Sequence, residues 1–376
     1  MSLLARRNLL HDKVRFAATL TGIVFAILLM VVQFGLFLGF METTSNNISH
    51  SGADLWVISK GVKYFDIGGW APFSERKLYQ ILGTPGVANA TKYLVQYIIW
   101  KREDGGTENI QIVGFDPSSK LGGPWNVIEG NVDDLKADNT VFVDDLYRRR
   151  LGITGIGHIG EINGYRARVV GFTEGIRSFT TSPFVFASFK TAQSYVRLAQ
   201  DQTVYVLVTA EEGADLQQLK KDILARVSNV DVYTTPEYSW MTQQYWIFTT
   251  GAGVATLIAA VLGLVVGTVV VAQTIYATTI DHLREFGTLK AIGASNLHIY
   301  RVIIEQAVIS AIIGYAIGIT LSYRIVYLSR RNEATILLPW HTAIAVFGLT
   351  LVMCVAASAV SINKATRIDP ALVFKN

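Results

Sequence analysis

Four long stretches of the chain contain no Asp, Glu, Lys or Arg, and polar sequence separates them. A helix rises about 1.5 Å per residue and the hydrocarbon core is about 30 Å thick, so about 20 apolar residues cross it. The pattern therefore predicts four transmembrane helices, at 16–40, 245–273, 306–323 and 340–362.

The long polar segment between the first two helices, at 41–244, has the pattern of a folded domain. Its length of about 200 residues is enough to bury a core of its own. Alternating and β-branched residues predict strands, and residues 74–82, with Ser74 as the cap, and 214–227 predict helices. We therefore expect an α+β extracytoplasmic domain. The predicted strands are at 53–59, 93–101, 108–115, 140–143, 167–172, 184–187 and 204–208.

The distribution of basic residues predicts the orientation in the membrane. The first segment, 1–15, carries four basic residues against one acid, and the tail at 363–376 is also basic. Basic residues favour the cytoplasmic side, so we expect both termini and the connection at 274–305 to be cytoplasmic. Three arginines in the loop at 324–339, which this topology puts outside, run against the tendency. A cleaved signal peptide is the alternative for 16–40, but the apolar run is too long for one.

The connection between the second and third predicted helices has a pattern of its own. Apolar residues recur at every third position, at Ile280, Leu283, Phe286 and Leu289, and polar residues lie between them. This spacing is typical of an amphipathic helix at a membrane surface or against a partner. Gly293 can end that helix, and Ser295 or Asn296 can cap the next. A solvated connecting loop is the alternative.

Glycines spaced four apart occur in three of the predicted membrane helices. Such pairs let two helices approach closely in lipid, although single glycines are also frequent in membrane helices. We predict helix contacts at these positions. The pairs are Gly35 with Gly39, Gly263 with Gly267, and Gly314 with Gly318.

Composition narrows the possible chemistry. With 51% hydrophobic residues and scattered basic residues giving a net charge of +4, the chain is expected to contact membrane lipid and no nucleic acid. The single cysteine, Cys354, and six histidines without ligand spacing predict no metal site. No phosphate-binding loop motif or catalytic motif is present, so we expect no catalytic residues and no ATP hydrolysis by this chain. The predicted helices also lack the charged residues that ion-coupled carriers use.

The polar connection resembles a known family. Residues 283–294 read LREFGTLKAIGA, which resembles the coupling segment of FtsX-like permeases, the family of MacB and the lipoprotein-release exporters. The layout of one helix, a large domain and three helices, with RIDPAL at 367–372, resembles the same family. Further stretches resemble its DevC-like branch, found in glycolipid-type exporters of cyanobacteria. They are ADLWVIS at 53–59, RKLYQ at 76–80, PGVA at 85–88, VGFDP at 113–117 and DHLRE at 281–285.

The resemblance implies an exporter permease of the bacterial inner membrane. It implies a homodimer bound to a separate ABC ATPase, which binds ATP and Mg²⁺, so that this chain needs no cofactor. It also implies a periplasmic adaptor (membrane fusion protein), a TolC-like outer-membrane channel, and a lipid, glycolipid or other hydrophobic cargo. The residues implied to contact the ATPase are Asp281, Leu283, Arg284, Glu285, Phe286, Leu289, Lys290 and Gly293.

Two other interpretations remain open at this point. An FtsX-like regulator would use the same ATP-driven motion to activate an extracellular cell-wall hydrolase. A membrane-anchored enzyme would need an acid, a base or a nucleophile converging within 41–244, and the sequence shows no such cluster.

Overall fold

The computed structural model describes residues 13–65, 70–281, 288, 292–329 and 335–366. The chain divides into two compact units. The membrane unit comprises Met1–Gly39, Val254–Ser329 and Ile336–Asn376, and the domain unit comprises Phe40–Gly253 and Arg330–Thr335. The helices of the described part are α1 (Lys13–Thr44), α2 (Asn46–Ser49), α3 (Arg76–Leu82), α4 (Phe189–Tyr195), α5 (Leu216–Arg226), α6 (Thr235–Gln244), α7 (Ala252–Asp281), α8 (Asn296–Ser329) and α9 (Trp340–Thr366).

Four of these helices, α1, α7, α8 and α9, are long and apolar enough to cross a membrane. This confirms the predicted fold class of four membrane helices with a large mixed domain between the first and second. Helix α1 supplies the centre of the membrane unit, where Ile23, Ile27 and Met30 are fully buried. A hydrogen bond of 2.8 Å from the Tyr315 hydroxyl to the Ala343 carbonyl joins α8 to α9.

The second membrane helix begins later than the sequence predicts. Residues 245–249, which we assigned to it, form a separate π-helical segment, and α7 begins at Ala252. Gly251 lies between them with a φ of +77°, a conformation that interrupts a helix and that glycine adopts readily. The prediction failed because no charged residue marks the boundary. Helix α8 extends beyond the predicted 306–323 at both ends, since its first and last turns contain polar residues.

The domain unit is built on β-strands. In its described part the strands are β1 (Leu55–Ser59), β2 (Phe73–Ser74), β3 (Val87–Lys101), β4 (Thr107–Phe115), β5 (Val127–Glu129), β6 (Thr140–Asp144), β7 (Ile159–Ile162), β8 (Tyr165–Thr173), β9 (Phe184–Ser188), β10 (Gln202–Thr203), β11 (Tyr205–Ala210) and β12 (Val230–Thr234). Ten of them form a mixed sheet with the order β12-β1-β11-β3-β4-β9-β6-β8-β5 and with β7 paired to β3 and β8. Most neighbours are antiparallel, and only β4 with β9 and β6 with β8 run parallel.

All seven predicted strands correspond to strands of this sheet. The two predicted helices correspond to α3 and α5. The predicted cap of α3 is wrong, because Ser74 lies in β2 and Glu75 is the residue before the helix. Helix α5 is capped by Asp215, whose carboxylate accepts hydrogen bonds from the backbone N–H groups of Gln217 and Gln218. Leu219 and Ile223 are its buried positions, so its apolar face covers the sheet.

The main core of the domain is aromatic. The Trp56 ring on β1 is fully buried and packs edge-on against Phe65, Tyr93 and Tyr205 with centroid distances of 5.4–5.7 Å. Edge-to-face packing of this kind adds to the free energy gained by burial. The same core buries Trp100, whose indole N–H donates to the Leu151 carbonyl at 3.1 Å.

Candidate coupling segment and helix contacts

Most of the predicted coupling segment lies outside the described residues. Asp281 is the last residue of α7 that the structure describes, and Leu283, Arg284, Glu285, Phe286, Leu289 and Lys290 are not described. At its far end the Ile292 N–H donates to the Thr288 carbonyl at 3.1 Å, a helical turn. Gly293 follows with a φ of +101°, which glycine accommodates without strain.

Helix α8 begins directly after this turn. The Ser295 hydroxyl accepts from the His298 N–H at 3.3 Å and caps the helix, which is one of the two caps expected from the sequence. Two apolar side chains flank Gly293 in exposed positions, Ile292 at 80% exposure and Leu297 at 75%. Leu297 was missed in the sequence, although an apolar residue in a polar first turn is a signal that could have found it.

The glycines of α7 and α8 lie against α1. A Cβ placed on Gly314 would be 2.6 Å from Cγ2 of Ile23, and one on Gly318 would be 3.0 Å from Ile27. On α7, a Cβ on Gly267 would be 3.3 Å from the Cβ of Ala26, and one on Gly263 would be 3.0 Å from Cγ of Gln33. Both neighbouring helices thus approach α1 more closely than larger residues would allow.

The glycines of α1 itself are placed differently. A Cβ on Gly35 would be 2.8 Å from the Leu337 carbonyl oxygen, and the Leu337 N–H donates to the Gly35 carbonyl at 3.0 Å. Gly35 therefore contacts the segment before α9. Gly39 is the last residue of α1 that belongs to the membrane unit.

Two segments of the domain unit, which are followed or preceded along the chain by membrane helices, contact each other. The Gln243 side-chain amide at the end of α6 donates to the Met41 carbonyl at 3.1 Å and to the Ser45 hydroxyl at 2.9 Å. The Phe179 ring lies between Phe40, at a centroid distance of 5.6 Å, and Trp246, at 4.4 Å. We call these four contacts the base clamp. The sequence does not predict these contacts, because glutamine and phenylalanine are common residues and nothing in their spacing marks them.

The sequence has three aromatic residues near the start of the second predicted membrane helix, Trp240, Tyr245 and Trp246, which we expect to form an aromatic belt at the outer membrane interface. In the structure these side chains are only partly exposed. Trp240 is 55% exposed, but the Tyr245 ring stacks on Tyr64 at a centroid distance of 3.4 Å and Trp246 packs on Phe179. Phe248, at 66% exposure, is a further aromatic residue of this region that we did not single out in the sequence.

One carboxylate of α6 is held in its charged form. Burial raises the pKa of Glu237, but hydrogen bonds from Lys220, the Thr234 N–H and Gln217 outweigh it and lower the pKa to about 2. The Lys220 ammonium lies 2.8 Å from the carboxylate. Thr234 and Glu237 cap α6 reciprocally, with Glu237 accepting from the Thr234 N–H at 2.9 Å. The charge therefore fixes the start of the helix that leads to the base clamp.

A second carboxylate anchors a loop of the domain. Asp144 is buried and accepts from the Ile176 N–H at 2.7 Å, from the Thr173 hydroxyl at 3.0 Å and from the Leu146 N–H at 3.1 Å. Burial raises its pKa, and the bonds from these donors oppose that rise. The hydrogen bonds from Thr173 and Ile176 tie the end of β6 to residues 173–176, so Asp144 anchors that loop. Among the described residues there is no group of three His, Cys, Asp or Glu side chains that could hold a metal ion.

Comparison with known proteins gives matches along nearly the whole chain. A family model described as MacB-like periplasmic core domain matches residues 16–226, and one described as FtsX-like permease C-terminal matches residues 242–370. An ABC transporter permease of Mycobacterium tuberculosis is 25% identical over 357 residues, which are 94% of this chain and 93% of the relative.

Two further proteins are similar to the chain. The macrolide export ATP-binding/permease protein MacB of Escherichia coli is 21% identical over 392 residues, which are 98% of this chain and 59% of MacB. The periplasmic region of MacB from Actinobacillus actinomycetemcomitans, a solved structure, aligns with a TM-score of 0.39 and 9% identity over 50% of this chain and 90% of that one.

Proposed function

The chain belongs to the family of MacB-like and FtsX-like ABC transporter permeases, and on that premise we propose that it transmits the motion of a separate ATPase to its extracytoplasmic domain and so drives export. Family membership makes it a multi-pass inner-membrane protein with an ATPase partner. The cytoplasmic position of both termini is part of the proposal.

The observation that carries the proposal is the exposed apolar pair beside Gly293. Ile292 continues the three-residue spacing of Ile280, Leu283, Phe286 and Leu289, and it is 80% exposed at the end of the connection between α7 and α8. When a partner covers an apolar stripe, binding is stabilised by about 25 cal/mol for each Å² of apolar surface removed from water. We propose that the ATPase is that partner, with Arg284 and Glu285 orienting the contact.

Helix α1 gives the motion a route. In the membrane unit it is packed between α7 and α8 through the glycine contacts at Gly267 and Gly314. The helix continues without interruption to Thr44, so its last turn belongs to the domain unit and to the base clamp. A displacement of the connection between α7 and α8 would therefore be passed to α1 by direct contact, since tightly packed helices transmit strain.

The remaining partners rest on the resemblance of the sequence to the DevC-like branch. We propose that two copies of the chain assemble with two ATPase chains, a periplasmic adaptor and a TolC-like channel. The proposed cargo is a lipid, a glycolipid or another hydrophobic molecule. The resemblance implies that this cargo need not cross the membrane helices. The predicted spans lack the charged residues that ion-coupled carriers use, so we propose that the ATPase supplies the energy.

The test is a pull-down of the tagged full-length chain from native membranes, followed by mass spectrometry of the bound proteins. We expect an ABC ATPase and a periplasmic adaptor. An ATPase together with a cell-wall hydrolase, and no adaptor, would contradict export and identify a regulator of the FtsX type. Recovery of the chain without any ATPase would contradict both functions.

A further inference from the structure

A small cavity lies inside the domain unit, next to the base clamp. Thr43 and Thr44 of α1, Asn47 of α2, Gln111 of β4 and Ser178 line its polar side, and phenylalanines close it. These five polar residues are between 1% and 8% exposed, so each is more than nine-tenths buried. The centre of a water molecule can move within about 10 Å³ of this space. That volume is about the minimum for one water and too little for a larger ligand.

Asn47 is the residue that the fold leaves unsatisfied at this cavity. It is 2% exposed, and neither its side-chain nitrogen nor its oxygen has a hydrogen-bond partner among the residues that the structure describes. A buried amide can donate two hydrogen bonds and accept two. Leaving a buried polar group unpaired is costly enough that native proteins rarely do so.

Three of the other polar side chains at the cavity, Thr43, Thr44 and Gln111, donate to groups within the protein. The Gln111 amide donates to the Ser178 hydroxyl at 2.7 Å and to the Thr180 hydroxyl at 3.2 Å. The Thr44 hydroxyl donates to the Phe40 carbonyl at 2.6 Å, which leaves lone pairs on its oxygen. A ligand that both accepts from Asn47 and donates to a hydroxyl oxygen would complete the set.

The chemistry of the lining selects a neutral ligand. The five polar side chains are an asparagine, a glutamine, a serine and two threonines, and phenylalanines complete the wall. None of the described residues that line the cavity carries a charge, and burying an ion without a charged partner costs the free energy of its hydration. A single water molecule satisfies the size, the neutrality and the need for both donor and acceptor.

We infer that this cavity is a built site for one ordered water, which bridges the Asn47 amide to the hydroxyl groups at the end of α1. The water joins three segments that are far apart in sequence: the end of α1 with α2, strand β4 through Gln111, and the segment that contains Ser178 and Phe179. Phe179 also belongs to the base clamp, so the water lies next to those contacts within the domain unit. The site is independent of the proposed transport function.

The direct test is an experimental structure of the full-length chain at a resolution that shows other buried waters. We expect one isolated peak about 3 Å from the Asn47 amide nitrogen or oxygen. A map that shows buried waters elsewhere but none here would overturn the inference. So would a side chain of Asn47 turned to a protein partner.

A substitution tests the same point in solution. If the water bridges Asn47, Asn47→Leu removes its hydrogen bonds and lowers the Tm of the full-length protein in detergent by about 3 °C. If Asn47 is unpaired, the same change replaces an unsatisfied amide by an apolar group and leaves the Tm unchanged or raises it, which would contradict the site. Asn109→Leu, at an exposed position of the neighbouring strand β4, is the matched control and should leave the Tm unchanged.

Discussion

The two units of the chain are packed by opposite means. The domain unit buries large aromatic rings, and Trp56 in its main core contacts four other rings. The membrane unit instead brings glycines of α7 and α8 against Ile23, Ala26 and Ile27 of α1. A water-exposed domain gains free energy from each apolar area it buries, whereas helices in lipid gain only by fitting closely, because lipid is itself apolar. Removing atoms should therefore harm the domain most, and adding atoms should harm the membrane unit most.

The largest effect is expected from emptying the aromatic core. Trp56→Ala should lower the free energy of unfolding by about 4 kcal/mol, because it removes a fully buried ring and leaves a cavity. Urea unfolding of the full-length protein in detergent, followed by circular dichroism of the domain's strands, measures the loss. Trp240→Ala removes an indole that is 55% exposed and is the control. Equal losses of unfolding free energy in the two variants would contradict the account, because burial of Trp56 would then contribute no more than the exposed Trp240.

Adding atoms to the membrane unit should lower its free energy of unfolding by about half as much as Trp56→Ala lowers that of the domain. Gly314→Leu places a side chain where Cγ2 of Ile23 already lies 2.6 Å from the added Cβ, and overpacking of this kind costs about 2 kcal/mol. Unfolding of the protein in SDS, followed by helical circular dichroism, gives the value. The matched control is Gly348→Leu in α9, where nothing lies within 4 Å of the added Cβ. If both variants unfolded alike, close contact between α1 and α8 would not hold the unit together.

The smallest effect concerns the charged cap of α6, and it depends on pH. The pKa of Glu237 is about 2 in the folded chain, below the ordinary value of 4.5, so its stabilisation is present above pH 4.5 and disappears as the pH falls towards 2. Its side chain is 36% exposed, so solvent screening keeps the effect below about 1 kcal/mol.

Glu237→Gln should therefore have a lower Tm than the native chain at pH 7 and the same Tm near pH 2. Asp138→Asn is the control, because Asp138 pairs with Lys190 at exposures of 65% and 78%, where an ion pair adds little. A deficit of Glu237→Gln that persisted unchanged at low pH would show that the charge is not its cause.

The comparison also explains what the sequence could predict. The membrane helices and the long strands were predictable because their patterns extend over many residues. Strands β2, β5, β7 and β10 have two to four residues each and were missed, since so short a stretch carries no clear periodicity. Strand β12 was also missed, although buried and half-buried positions alternate along its five residues. The spacing of Gly314 and Gly318 indicated a helix contact, but only the fold shows that α1 is the neighbour.

The candidate site residues also differ in whether the sequence alone could reveal them. Residues 281–294 stand out because a polar run between two apolar ones is a local signal. Asn47 and Gln243 give no such signal, because their role comes from segments that meet only in the fold, such as Gln243 with Ser45. The start of α7 was misplaced for a related reason: Gly251 is one glycine among many until its φ of +77° is known.

The central claim, that residues 281–294 bind an ATPase, is tested most directly by two phenylalanine variants. Phe286→Ala in the full-length chain should weaken association with the ATPase by about 2 kcal/mol, or about 30-fold, through lost apolar burial. Phe248→Ala is the matched control, since Phe248 is 66% exposed in the π-helical segment before α7, outside the proposed contact. Quantitative copurification of the ATPase from native membranes should fall for Phe286→Ala alone. Wild-type yield of the ATPase with Phe286→Ala would contradict the account.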